Sequence, residues 1–103
     1  METLLQKVRS NLMLTHTADD ELLRDLIAAA ISYAEGYQHV GSRYYDEHEM
    51  SPATERAVIM LASHFYESRD GSTGGFFSDS PQAAQQALVT VNRLLVLDRE
   101  WKV

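Results

Sequence analysis

Four histidines, His16, His39, His48 and His64, are the residues of this 103-residue chain best suited to chemistry. His48 lies inside Asp46-Glu47-His48-Glu49, a run that could hold a divalent cation weakly. No second ligand group stands at the spacing of a metal site, so the run reads as a solvated acidic loop. His64 precedes Phe65 and Tyr66 at the end of an apolar stretch. The sequence places no nucleophile or carboxylate to be its partner, which favours a packed or interface histidine over a general base. His16 and His39 read as loop residues. The absence of cysteine removes disulfide frameworks, thiolate metal sites and cysteine nucleophiles together. Gly71-Ser72-Thr73-Gly74-Gly75 lacks the Gly-Lys-Ser/Thr ending of a phosphate loop. No catalytic residue, metal ligand or cofactor site emerges, and the chain is expected not to be an enzyme.

Charge narrows the partners. Nine basic and fifteen acidic residues leave a formal charge of −6. Affinity for nucleic acid comes mainly from Lys and Arg neutralising phosphates, so specific DNA or RNA binding is disfavoured. Tyr33, Tyr37, Tyr44, Tyr45 and Tyr66 could stack on bases, but stacking platforms work together with basic grooves. Tyrosines at a helix end fit packing or protein–protein contact better. A helix-turn-helix near residues 13–18 would open its second helix with Asp19-Asp20-Glu21, which repels a phosphate backbone. The N-terminus lacks a charged-then-apolar signal layout. The longest apolar run, Leu26 to Ile31, falls far short of the roughly 20 residues a membrane span needs. A soluble product of the cytoplasm is expected.

The elements that must carry these residues are helical. Thr3 and Gln6 have capping-box spacing, opening a short helix to about Leu12 with Leu4, Leu5, Val8 and Leu12 on one face. Thr17 and Asp20 repeat a cap signal before a helix predicted over about Ala18 to Tyr37. Its acidic first turn complements the helix dipole. Leu22, Leu23, Leu26, Ile27, Ala30, Ile31 and Ala34 make its apolar face wide enough for burial on two sides. That width suggests more burial partners than one small monomer supplies. Gly36 tolerates a fraying end, and Gly41 stops any continuation. After a polar, acidic connection over 38–50, Ser51-Pro52 predicts a third helix running to Asp70-Gly71. Its stripe is Ala57, Val58, Leu61, Ala62 and Phe65. Ser80-Pro81 repeats the start signal, and Ala84, Ala87, Leu88, Val91, Leu94 and Leu95 follow helical spacing. The predicted fold is all-α: one domain over 1–103 of four helices, with a short N-terminal helix, two long central helices and a C-terminal helix.

Three blocks, in order, resemble the phage head-tail connector (head-completion adaptor) family. The first runs from Val8-Arg9-Ser10-Asn11-Leu12 through Asp19-Asp20-Glu21-Leu22-Leu23 and Ala29-Ala30 to Tyr33-Ala34-Glu35-Gly36-Tyr37. The second is Ser51-Pro52 through Ala57-Val58-Ile59-Met60-Leu61 to His64-Phe65-Tyr66-Glu67-Ser68-Arg69. The third is Leu94-Leu95 with Arg99 and Trp101. Each motif alone is mostly helix grammar; order and spacing carry the resemblance. Two departures stand out: Phe65 occupies a position where the family often has tryptophan, and Ser78 to Thr90 reads as a fuller helix than a short proline turn.

The resemblance implies a structural virion protein at the head-tail junction. It would form a ring of about twelve copies below the portal and extend the DNA channel to the tail. Its partners would be further copies of itself, the portal protein and a tail-side completion protein. DNA would be passing cargo only, and no membrane would be involved. An acidic wall suits such a channel, since like charge suppresses adhesion. Candidate contact residues are Tyr44 and Tyr45, Gly74, Phe76 and Phe77 in the glycine-rich segment, and Arg99, Trp101, Lys102 and Val103 at the C-terminal end. Two aromatics beside a glycine tether dock more often than they hang in water. A tryptophan with neighbouring charge has the composition of an interface hot spot. Two other classes fit the residues: a small helical dimeric regulatory or antitoxin-like binding module, and a small enzyme with a site assembled between subunits.

Overall fold

The computed structural model describes residues 2–15, 17–68 and 81–98, the last stretch with its side chains from residue 85 onward. Five helices appear: α1 (Glu2–Leu12), α2 (Asp20–Gln38), α3 (Tyr44–Glu47), α4 (Pro52–Ser68) and α5 (Pro81–Val96). The all-α prediction holds, and no strand occurs among the described residues. The element beyond the predicted four is α3, a single turn inside the acidic connection. The predicted stop at Asp70-Gly71 lies outside the described residues. The helix expected after Ser80-Pro81 is present as α5.

α4 begins as Ser51-Pro52 requires. Ser51 Oγ accepts the Thr54 backbone N–H at 3.2 Å, while its carbonyl accepts the Glu55 N–H at 2.9 Å. The other two cap expectations fail. α1 has already started at Glu2, so Thr3 lies inside the helix and not at its cap. α2 starts at Asp20, two residues later than predicted, with Asp19 at the cap position and no side-chain cap bond. The Asp19 carboxylate is used elsewhere, accepting the Tyr66 hydroxyl from the far end of α4. The residue at the cap position thus serves a tertiary partner, while Thr17, which the spacing named as the cap, lies three residues before the helix.

Two helices end in the same way, without glycine. After α1, Met13 is left-handed at φ 60°, with its N–H on the Ser10 carbonyl and the Leu14 N–H on that of Arg9. After α2, His39 is left-handed at φ 61°, with its N–H on Gly36 and the Val40 N–H on Glu35. Both are Schellman closures, a geometry in which glycine is favoured because it lacks a Cβ. Gly36 is helical and solvent-facing, so it neither frays nor ends α2, and Gly41 lies beyond the stop.

α2 and α4 form the central pair, with α5 against both and α1 across them. The start of α4 meets the end of α5 (Thr54 with Asp98), and the end of α4 meets the start of α5, so the two run antiparallel. The core is Leu5 and Val8 from α1, Leu23, Ile27, Ala30 and Ala34 from α2, Ala57, Val58, Ile59, Leu61 and Ala62 from α4, and Val91 and Leu95 from α5. Leu22, Leu26, Ile31 and Phe65 are only half-buried, while Leu88 is 37% exposed. α2 contacts α1, α3, α4 and α5 of its own chain. Its wide apolar face is therefore covered largely within one copy, and the inference from that width to assembly does not stand.

Two stability outcomes follow. Leu61→Ala, at a site 2% exposed, should cost about 2–5 kcal/mol in urea denaturation, because the side chain and its cavity are both lost. Met13→Gly should instead stabilise by about 0.5–1 kcal/mol, since Met13 is 86% exposed and its left-handed backbone is strained. Destabilisation by the glycine would show that Met13 contributes contacts that outweigh its strain.

Candidate functional site

The densest arrangement of polar groups lies where α2 ends and α3 begins. Arg43 is left-handed at φ 64° and opens α3. The Glu35 carboxylate, from a residue only 5% exposed, accepts the Arg43 N–H at 3.2 Å and the Tyr45 N–H at 3.0 Å. It caps a neighbouring helix turn from the side of α2. Glu35, although charged, is thereby satisfied in a buried position. Arg43 pairs with Asp46 at 2.8 Å, and this hydrogen-bonded carboxylate raises the guanidinium above its ordinary value; both groups are exposed. Such a surface pair adds little stability.

The two predicted contact tyrosines of α3 divide in role. Tyr44 stacks on His48 with centroids 4.0 Å apart and planes 6° from parallel, and His48 Nδ1 lies 2.9 Å from the Tyr44 carbonyl oxygen. Its ring also meets Tyr45 edge-on at 5.0 Å. Tyr45 turns inward and donates its hydroxyl to Gln38 Oε1. Burial holds this phenol above its ordinary value, with Thr54 beside it pulling the other way. Tyr44 and His48 thus form an aromatic surface corner, while Tyr45 anchors it. Gly74, Phe76, Phe77, Arg99, Trp101, Lys102 and Val103 lie outside the described residues.

Gln38, wholly buried, donates from Nε2 to Thr54 Oγ1 at 2.8 Å and to the Leu95 carbonyl at 3.0 Å. Thr54 in turn donates to Asp98 Oδ2 at 2.7 Å, and the Ser51 hydroxyl donates to the same oxygen. This set was not legible in the sequence: the side-chain bonds that join it span 16 to 57 residues, and only the Ser51 cap gave a local signal.

A second feature is a cleft of about 380 Å³ between α1, α4 and α5. Met60, Leu61, Leu88 and Val91 give it apolar walls, with Asn11, Arg56, His64 and Glu67 among its polar lining. Asn11 donates to Ser63 Oγ at 2.8 Å, joining α1 to α4. His64 is half-buried, and that burial lowers its pKa against a smaller opposing pull from Glu67. The Ser68 hydroxyl donates back to the His64 carbonyl at 2.6 Å, the ordinary back-bond of a serine one helical turn on. The same hydroxyl lies 3.3 Å from His64 Nδ1, so the structure brings beside His64 a serine that the sequence did not place there. Among the described residues, no three His, Cys, Asp or Glu side chains are grouped to hold a metal ion. None of the described helices is long and apolar enough to cross a membrane.

A family model for phage gp6-like head-tail connector proteins matches residues 2–92. The match takes in α1 to α4 and most of α5, and the chain belongs to that family. Its role is that of a structural virion protein, a head-tail connector. No curated protein and no solved structure matches the chain.

Glu35→Ala should speed amide exchange at Arg43 and Tyr45 by about tenfold, with a global loss of about 1–2 kcal/mol. Nuclear magnetic resonance exchange rates check this; unchanged rates would remove Glu35 as the cap. His64 gives a pH outcome. Its folded pKa lies below the unfolded value of 6.5, so the unfolded chain takes the proton first as pH falls. The native state should weaken slightly as pH drops below about 6.5, and His64→Gln should flatten that slope in melts between pH 7.5 and 5.

Proposed function

We propose that this connector assembles as a closed homo-oligomeric ring of about twelve copies beneath the portal, extending the DNA channel toward the tail. Residues 1–103 act as one helical domain, and no catalytic step belongs to the role. The protein is made in the cytoplasm of the bacterial host and ends in the virion at the head-tail junction. The observation that carries this reading is the family match over residues 2–92. The net charge of −6 agrees with a channel wall along which DNA slides without sticking.

A ring of identical copies is built from a heterologous contact, in which two different patches of one chain meet. For the subunit contact we assign Tyr44 with Gly74, Phe76 and Phe77; Tyr45 supports that surface from beneath. Arg99, Trp101, Lys102 and Val103 dock on the portal protein, and the opposite rim receives the tail-side completion protein. The dimeric regulator has no observation in its favour.

The mass of the purified protein over a concentration series, by light scattering after size exclusion, tests the ring. Species of about twelve subunits, seen as annuli by negative stain, are expected at high concentration or on addition of portal protein. A strict dimer at every concentration, unchanged by portal protein, would overturn it.

A further inference from the structure

Two surface patches carry charges that the fold leaves without an opposite partner. Lys7, Arg9, Arg24 and Arg43 pair with Glu55, Asp20, Glu2 and Asp46. Arg56 pairs with no carboxylate among the described residues, and its guanidinium reaches only the Asn11 side-chain oxygen at a long 3.5 Å. It stands exposed on α4, at the edge of the cleft of about 380 Å³. The opposite case is the α3 corner. Glu47 and Glu49 are exposed on either side of His48 and pair with no cation among the described residues. An exposed charge alone needs no partner. What singles these out is the apolar or aromatic surface beside each: Met60 and Leu88 in the cleft, and the Tyr44–His48 stack at the corner.

The two patches lie at different places along one helix. α3 abuts the start of α4, where Asp46 to Met50 share a hollow with Glu55. The α4 residues of the cleft run from Arg56 to Glu67, about 6 to 22 Å beyond Pro52 at 1.5 Å per residue. A contact between corner and cleft across two copies is therefore heterologous, the kind that builds a ring. The cleft is also positive at one end and negative at the other, with Arg56 and Glu67 three turns apart. The corner has the same two-ended pattern, with Arg43 before Tyr44 and Glu47 and Glu49 after it. With its carboxylates toward Arg56, the corner brings Arg43 toward Glu67 and its aromatic stack over the apolar wall between. The reverse orientation sets like charges together.

We propose that the cleft between α4 and α5 receives the α3 corner of a second copy of this chain, with Arg56 against Glu47 and Glu49 and the Tyr44–His48 stack against Met60 and Leu88. The proposal rests on the ring reading and names the surface that the Tyr44 corner meets. Leu88, 37% exposed in the single copy, is covered in this contact. A methionine thioether adapts well to an aromatic ring, and arginine and tyrosine are the residue types that dominate interface energies. The net charge of −6 opposes most encounters between two acidic copies. A site where an unpaired arginine meets unpaired carboxylates is thereby selected over the rest of the surface.

The absence of cysteine lets single cysteines map the contact in the full chain. Ser42→Cys marks the corner and Ala87→Cys marks the cleft. The two variants are mixed in equal amounts, with and without portal protein, and treated with a short bismaleimide. Mass spectrometry reads the linked pairs, and circular dichroism establishes folding. The mixed 42–87 product should exceed either like-with-like product about fivefold or more, against about twofold for chance encounter. Arg56→Glu on the Ala87→Cys copy should cut the mixed product about tenfold, and Glu47→Lys with Glu49→Lys on the other copy should restore it. Chance yields throughout, no effect of Arg56→Glu, or a dominant 87–87 product would each overturn the proposal. So would portal-bound rings that lack the 42–87 link, an outcome that keeps the ring and leaves the cleft to a tail-side partner. A strong 42–87 link in open chains that never close would support the contact and contradict the ring.

Discussion

Everything at one end of this molecule is organised by the buried side-chain amide of Gln38. It satisfies a hydroxyl from α3, a hydroxyl from α4 and a main-chain carbonyl at the end of α5, while its own backbone belongs to α2. An apolar residue there would leave those three groups facing a dry interior, and an unsatisfied buried donor or acceptor is costly. A smaller polar residue would reach fewer of them. The amide is therefore a specification as much as a stabiliser: it sets which turn of α5 meets which turn of α4. The Leu23, Ile27, Leu61 and Leu95 core drives collapse without setting register so narrowly. Buried polar networks fix one arrangement only when all members are paired, as they are here.

A connector needs such an end. Its task is mechanical and geometric: to present unlike surfaces at reproducible angles so that copies meet each other and their neighbours. The scaffold separates these duties. The α1–α2–α4–α5 packing is apolar and continuous, whereas the α3 corner is a single turn held from beneath by Glu35 and Tyr45. The Tyr44–His48 stack at its surface has no bonding duty toward the core beyond its own turn. Aromatic rings placed on a rigid base suit contact with little loss of side-chain freedom. In the proposed ring, the acidic balance of the chain would keep passing DNA from sticking to the wall.

How much of this was legible depended on whether the signal was local. Ser51-Pro52 predicted the start of α4 to the residue, because the cap uses groups three positions apart. The apolar spacing in α2, α4 and α5 named most of the core, since periodicity is itself the record of a buried face. The cap signals at Thr3 and Thr17 misled in different ways: Thr3 lies inside α1, and the cap position of α2 is Asp19, whose carboxylate serves Tyr66 from 47 residues away. The ends of α1 and α2 fall at Leu12 and Gln38, close to the predicted Leu12 and Tyr37, but the way they close was hidden because Met13 and His39 take a backbone shape for which glycine is the usual sign. Tyr44 and Tyr45 were identified as a pair, yet only the fold distinguishes the ring at the surface from the one bonded inward. Beyond the Ser51 cap, the Gln38 set had no sequence signal, as Gln, Thr and Asp at such separations look like any helix surface. The family was legible through order and spacing of blocks, none of which was specific alone.

Electron cryomicroscopy of the purified protein mixed with its portal protein tests the proposed ring most directly. A closed ring of about twelve copies is expected, coaxial with the portal and continuing its channel, with the Tyr44 corner at the contact between adjacent copies. Density for isolated dimers, or for copies bound to the portal's outer wall without enclosing a channel, would contradict it.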